Sequence, residues 1–322
     1  MNSENPIVGI DVSHRFFDAQ WLGNHARYEN GDAGFRKLLS EVPANAEFVF
    51  EATGNYHYRL AYFLDSKGKS VKVLNPLSFK LWGRSLGGKA KTDKIDSKNL
   101  AKYAKTEKIR AQKEWKKLPP KLAKAKVILS QLYRLAKMER QAGNSKHAAA
   151  LVLDKGDELL DVMGGIRKHC LEQKKCLEKQ LYEIVGELYP DAFRLLKSIP
   201  SIGAKTAAAL LVVCRGIEGY ESHRKLSSFV GFAIRVHESG DSVKGKGRII
   251  KVGNPYLRGL LYMCAMGAAR SRKNRQCREF YEKLLAKGKP KKVAQAAVMH
   301  KLVKIAFAIV KNGTPFKEKE AA

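Results

Sequence analysis

Along the first hundred residues the apolar positions change their period in a regular order. Ile7-Val8-Gly9-Ile10 is a short apolar run that ends on Asp11, and FFDAQWL follows after a brief polar break; both read as strands. Ala26-Arg27-Tyr28-Glu29 is a candidate third strand. The polar Asn30-Gly31-Asp32 then precedes a stretch from Ala33 to Glu41 in which Phe35, Leu38 and Leu39 share one helical face. Glu47-Phe48-Val49-Phe50-Glu51 reads as a buried strand ending on a glutamate, HYRLAYFLDSKG as a helix after Gly54, and SVKVLNP as another strand before Pro76. The segment KAKTDKIDSK, Lys89 to Lys98, opens the next helix, which runs to about Lys105. Strands alternating with helices predict an α/β domain with partly parallel pairing.

The pattern changes after Pro119-Pro120. From Leu122 to about Leu188 the chain is rich in Leu, Lys, Glu and Gln, with apolar residues at Met163, Ile166, Cys170, Leu177, Leu181, Ile184 and Leu188. Steps of three, four and seven suit either a helical hairpin packed on its own domain or a dimerising coiled coil. Gly143-Asn144 and Gly164-Gly165 are candidate interruptions. Beyond Tyr189-Pro190 the segments LLKSIPSIGAKTAAALLVVC, HRKLSSFVGF, NPYLRGLLYMCAMGAAR and KKVAQAAVMHKLVKIAFAIVK predict a mostly helical region, broken by a Gly/Lys-rich loop. The expected organisation is an α/β domain over residues 1–115, a helical coiled-coil region over 116–188 and a mostly helical domain over 189–322.

Composition narrows the function. Lys and Arg number 61 against 31 Asp and Glu, a formal charge of +30 spread along most of the 322 residues. Such a field suits a polyanion, and nucleic acid is the default because neutralised phosphates release condensed counterions. No apolar run approaches the roughly 20 residues that cross a bilayer, and the first residues lack the charged and apolar regions of a signal peptide. A cytoplasmic protein with no membrane partner is expected. The five cysteines, Cys170, Cys176, Cys214, Cys264 and Cys277, lack zinc spacing and read as reduced and mostly buried.

The carboxylates carry the candidate chemistry. Asp11 and Glu51 end two strands, and sites in α/β sheets lie at such carboxyl ends. Asp93 and Asp96 share one helical face. Taken alone, that pair reads as a helix cap and first-turn acid. Four converging carboxylates, however, repel by roughly 4 kcal/mol per close pair unless cations neutralise them. Hard oxygen donors select Mg²⁺ or Mn²⁺, and two such ions stabilise the attacking and leaving oxygens of phosphoryl transfer. Asp18 and Asp65 do not fit this scheme. Lys89, Lys91, Lys94 and Lys98 surround the second pair and suit phosphates.

Two further elements suit a phosphate backbone. Ile199 to Thr206 (IPSIGAKT) resembles a helix-hairpin-helix turn, in which Gly203, Lys205 and Thr206 would present backbone N–H groups and charge to DNA. The usual turn has glycine where Ser201 stands, and a plain packing corner is the alternative. RVHESGDSVKGKGR, from Arg235 to Arg248, holds Arg235, Lys244, Lys246 and Arg248 beside Ser239 and Ser242. A serine attacking a phosphodiester needs such cations. Local sequence leaves nucleophile and loop serine undistinguished.

Together GIDVS around Asp11, FEATGNY around Glu51, Asn75-Pro76, KTDKIDSKNLA, SIPSIGAKTAAALL, and RVHESGDSVKGKGR leading to GNPYLRGLLYMCAM resemble the DEDD transposases of bacterial insertion sequences, the family numbered one hundred and ten, which includes RNA-guided bridge recombinases. The resemblance spans nearly the whole chain. It implies an N-terminal domain similar to the RNase H fold of Holliday-junction resolvases, a coiled-coil middle and a C-terminal transposase domain. It also implies that Asp11, Glu51, Asp93 and Asp96 bind Mg²⁺ and that Ser239, rather than Ser242, links covalently to DNA. Excision and insertion of a mobile element would follow, through strand exchange between donor and target DNA, with a non-coding guide RNA and a homo-oligomer up to a tetramer. His237 stands where relatives often carry Tyr. The alternatives are a hydrolytic junction resolvase or nuclease, in which Ser239 is structural, and a non-catalytic architectural protein.

Overall fold

The short apolar runs of the N-terminal part assemble into one mixed sheet. In the computed structural model the chain divides into two units, residues 1–118 and 119–322. Described are residues 5–52, 54–85, 93–106, 109, 114–235, 238–239, 243–244, 247–250 and 252–318, with 93–96, 235, 238–239, 243–244 and 248 by backbone alone.

Five strands, β1 (Ile7–Val12), β2 (Phe16–Trp21), β3 (Asn24–Glu29), β4 (Glu47–Glu51) and β5 (Ser70–Leu74), lie in the order β3-β2-β1-β4-β5. β1 to β3 form an antiparallel meander, whereas β1, β4 and β5 run parallel. Alternation sorts the side chains onto two faces. Val8, Ile10, Phe17, Phe48 and Phe50 are sealed beneath helices α1 (Asp32–Glu41) and α2 (Tyr58–Ser66), through Phe35, Leu38, Leu60 and Leu64. Each such side chain contributes about 1.5–3 kcal/mol by leaving water.

Val49 and Leu74 project to the opposite face and pack with Leu100 and Tyr103 of α4 (Asp93–Ala104) and Phe79 of α3 (Pro76–Ser85). α3 is not expected from the sequence pattern. It starts at Asn75-Pro76, where the Asn75 side chain accepts the Leu77 N–H at 2.8 Å and proline occupies a first-turn position that needs no donor.

In the second unit, α5 (Pro120–Ala149) and α6 (Glu158–Leu188) form a long antiparallel hairpin. Ion pairs Lys121–Glu187 and Lys174–Glu139, each 2.6 Å, fix its register. Both helices continue through Gly143-Asn144 and Gly164-Gly165, so those glycines do not interrupt the hairpin; the break falls at 150–157. Leu122, Ile128, Leu132, Leu181 and Val185 are buried, whereas Met138, Leu151, Val152, Val162 and Ile166, toward the far end, are exposed.

The remainder comprises α7 (Pro190–Lys197), α8 (Ala204–Cys214), α9 (His223–Val230), four two-residue strands β6 (Ile234–Arg235), β7 (Glu238–Ser239), β8 (Val243–Lys244) and β9 (Arg248–Ile249), then α10 (Pro255–Ala268), α11 (Arg275–Ala286) and α12 (Lys291–Asn312). Within the segment expected to be a Gly/Lys-rich loop, the described residues form two short antiparallel ladders, β6 with β9 and β7 with β8. By length and composition α12 is long and apolar enough to cross a membrane, which corrects the expectation that no such run exists. Its Ala294, Val298, Leu302, Ala306 and Val310 are buried, and it packs on α9, α10 and α11 as a core helix does. The thiols of Cys170, Cys214, Cys264 and Cys277 are buried and that of Cys176 is exposed; all five are free.

Candidate acidic site and nucleic-acid interface

The acidic site is built by register. Ile10 pairs with Phe50 across the parallel strands, so Asp11 and Glu51 follow at the same level on adjacent strand ends. Paired positions share a sheet face, and Asp11 lies two residues beyond Gly9 on the face that α4 covers. Gly9 is what lets that helix approach: a Cβ there would lie 2.4 Å from the Ser97 carbonyl oxygen and 2.5 Å from the Ala101 nitrogen. Ser97 is fully buried against this strand. Ile7, at the start of β1, joins the cluster formed with Tyr103 and Ala104 in the last turn of α4. The helix therefore runs against β1, and its first turn, with the backbone of Asp93 and Asp96, lies toward the end of β1 that carries Asp11.

Asp18 is the cross-strand partner of Asp11. Its carboxylate is buried and already held by Arg27, at 3.0 Å to Nε and 2.8 Å to Nη2, and by His25 Nε2 at 3.0 Å. A charge compensated in this way has no need of a metal. Asp65 faces Lys116 at 3.7 Å, at the end of α2. Among the described residues no three metal-ligating side chains converge. The side chains of Asp93 and Asp96 lie outside the described ones, which leaves two of the four carboxylates. The donor set is all hard oxygen, which fits a divalent cation of the Mg²⁺ type.

Asn30, unremarked in the sequence beyond its polarity, fastens the rim of this site. Its Nδ2 donates to the carbonyls of Ser13, at 2.9 Å, and Tyr56, at 3.4 Å, linking the loop after β1 to the loop after β4. His57, on the latter loop, is 3% exposed and stacks on Tyr58 with ring centroids 4.4 Å apart. Burial lowers its pKa from the usual histidine value. The only sequence signal for this residue is its place just after GNY.

Among the basic candidates, Lys98 is exposed on α4, Lys94 is placed by backbone in its first turn, and Lys89 and Lys91 lie outside the described residues. At the α7–α8 corner Ser201 has φ +79°, the left-handed region that favours glycine, which explains why a hairpin turn of this kind usually has glycine here. Asn274, fully buried, donates to the Pro200 carbonyl at 3.3 Å and holds the turn. Gly203 is the N-cap of α8. Lys205 pairs with Glu178 at 2.6 Å, and the buried Thr206 hydroxyl meets Cys264 Sγ at 3.3 Å. Both side chains are engaged within the unit, which leaves the backbone N–H groups as the donors this corner offers.

The serine loop is placed by backbone. Ser239 lies opposite Val243, and Glu238 opposite Lys244, in the inner ladder; Arg235 lies opposite Arg248 in the outer one. His237, Ser242 and Lys246 lie outside the described residues. Deeper in the unit, burial first and the charge of Arg215 second push the Lys126 ammonium down to about 8.

A transposase family model of the DEDD type named for IS110 matches residues 8–139, and the model of the transposase IS116/IS110/IS902 family matches residues 193–282. The pilin gene-inverting protein of Moraxella bovis is 28% identical over 326 residues, which covers 97% of this chain and 98% of that protein. Its counterpart in Moraxella lacunata is 27% identical over 325 residues, with the same coverage. An uncharacterised 43.6 kDa protein of insertion element IS110 from Streptomyces coelicolor is 26% identical over 151 residues, 47% of this chain and 36% of its own length.

Proposed function

Because this chain belongs to the IS110 family of DEDD transposases, enzymes that cleave and rejoin DNA, we propose that it moves a mobile element by serine-assisted strand exchange at a Mg²⁺-dependent acidic site. The observation that carries this reading is the level placement of Asp11 and Glu51 on adjacent parallel strand ends, with the first turn of α4 directed to the same edge. The strand order β3-β2-β1-β4-β5 supports an RNase H-like reading of the N-terminal unit. Asp11, Glu51, Asp93 and Asp96 would hold the metal, which supplies charge stabilisation for phosphoryl transfer when bound.

The chain's own part in the chemistry is a conservative exchange. Ser239 Oγ bonds to a backbone phosphorus as the bond from phosphorus to a deoxyribose oxygen breaks; the proton of the hydroxyl goes to that oxygen. The number of phosphodiester bonds is unchanged, so attack by a new strand's hydroxyl releases the serine without an energy source. Arg235 and Arg248 at opposing register positions support a phosphate here, since like charges directly opposite destabilise a ladder unless an anion lies between. A non-coding guide RNA and a homo-oligomer, dimer to tetramer, complete the reading. The exposed apolar residues of the distal hairpin, Val162 and Ile166 among them, support assembly there.

The test is a covalent-adduct assay with Mg²⁺ on donor and target DNA. Ser239→Ala abolishes the adduct and retains DNA binding, and Asp11→Asn abolishes both adduct and recombinant junctions. Cleavage with free ends surviving Ser239→Ala would favour the hydrolytic resolvase instead. The gene-inverting relatives, which cover 97% of the chain, favour a second outcome of the same chemistry, inversion of the DNA between two sites on one molecule.

A further inference from the structure

Two adjoining hollows in the helical unit are lined by groups that the strand-exchange reading does not use. The smaller, about 150 Å³, is bounded by Tyr262 of α10, Arg270, Tyr281 of α11 and Lys291, Lys292 and Gln295 of α12. α12 starts at Lys291 with no side-chain cap, so the positive end of a 22-residue helix opens at this pocket. Among the described residues, Arg270, Lys291 and Lys292 have no acidic partner. Gln295 is only 6% exposed, and its buried Nε2 has no hydrogen-bond partner. A buried amide donor left unpaired costs about 1–3 kcal/mol, and an acceptor in the pocket would recover it. Three cations, a helix N-terminus and an orphaned donor around one small space describe an oxyanion site.

The larger hollow, about 1860 Å³, shares Tyr262 and Lys292 with the smaller. Its walls are largely apolar, with Phe232, Phe280, Met299 and Ile305; Lys301, 4.8 Å over the Phe280 ring, His300 and Lys304 stand among them. Arg258 also lines it, with Nη1 buried and unpartnered. An apolar chamber bordered by cations and joined to an oxyanion pocket matches a nucleotide whose base has left its stack: phosphate at the charged end, base against aromatic rings. A duplex keeps its bases inside and leaves the chamber empty.

We propose that the pocket of Arg270, Lys292 and Gln295 binds the phosphate of an unpaired nucleotide whose base enters the groove beside Phe280. The inference rests on the reading of the chain as a strand-exchange enzyme, in which strands must separate before they are re-paired, and assigns unpaired strand to a specific surface. Binding is measured without divalent metal, so the result is independent of whether Asp11 or Ser239 performs chemistry.

Fluorescence anisotropy on the full chain would compare a labelled single strand, the same strand with abasic positions, and its duplex. Arg270→Ala with Lys292→Ala, both exposed positions, is expected to weaken single-strand binding about tenfold and duplex binding less than about twofold. Phe280→Leu is expected to weaken the ordinary strand several-fold and leave the abasic strand unchanged. Gln295→Leu should reproduce the loss of the double variant in part, with an unaltered circular dichroism spectrum confirming the fold. Unchanged single-strand affinity in the double variant overturns the proposal, as does an equal loss on the duplex. Inorganic phosphate raising the melting temperature through Arg270 and Lys292, while strand affinity ignores both, would make the pocket a free-ion site and overturn it as well.

Discussion

Gly9 of β1 and Ser97 of α4 meet backbone to backbone, leaving no room for even one carbon between them: a Cβ on Gly9 would stand 2.4 Å from the Ser97 carbonyl oxygen. This contact seats the helix that begins with Asp93 on the strand that carries Asp11 near its end. Gly9→Ala must push α4 away. A cost of about 2 kcal/mol is expected, in the range of overpacked cores, with a larger effect on chemistry because the two acidic elements separate. Urea denaturation gives the first number, and Mg²⁺ titration of DNA cleavage, shifted to higher concentration, gives the second.

Asp18, the cross-strand partner of Asp11, tests which carboxylates serve the proposed metal site. Asp18→Asn removes the charge that Arg27 and His25 hold. Arg27 is 54% exposed in its side chain, so solvent screens the loss. A destabilisation of about 1–2 kcal/mol is expected, with the Mg²⁺ dependence of cleavage unchanged. A variant that folds normally but no longer responds to Mg²⁺ would place Asp18 among the metal ligands.

Ser201 occupies a backbone region where a side chain costs about 1 kcal/mol relative to glycine. Ser201→Gly is expected to raise the melting temperature slightly, since relief of strain exceeds the added chain entropy. Ser201→Val, branched at Cβ, should lower it and weaken DNA binding by distorting the turn before Gly203. Differential scanning calorimetry of the two variants checks the sign.

Lys126 gives the helical unit a pH signature. Its folded pKa, about 8, lies below the ordinary lysine value of 10.5. Between those values the unfolded chain binds the proton and the folded chain does not, so stability rises with pH across this window. At lower pH both states are protonated, and the cost of burying that charge, with Arg215 beside it, is fully present. Lys126→Met should flatten the slope between pH 8 and 10.5 and stabilise the protein at neutral pH, as read from denaturation midpoints.

Much of the sheet was legible because strand ends are marked by polar residues: Glu47–Glu51 was bounded correctly by its two glutamates. α3 is hidden in the sequence because Phe79 is its one buried residue and Gly83 weakens its pattern. The short ladder around Ser239 is hidden for a different reason, since two-residue strands among Gly and Lys have no alternation to read. At the acidic edge, strand ends pointed to Asp11 and Glu51, and the exclusion of Asp18 agrees with its partners Arg27 and His25. The approach of α4 at Gly9 and the link through Asn30 are tertiary facts, invisible until Ser97, Ser13 and Tyr56 are brought near.

The α5–α6 hairpin has a mechanical consequence. Thirty residues of helix extend about 45 Å, so a tilt of about 10° at its base would carry the tip about 8 Å, more than two base-pair steps. Lys121–Glu187 near the base and Lys174–Glu139 midway brace the two helices against sliding. Any repacking around Leu132 and Leu181 would thereby become a long stroke at Leu151 and Val152, and a partner at that tip would feel the state of the helical unit as displacement.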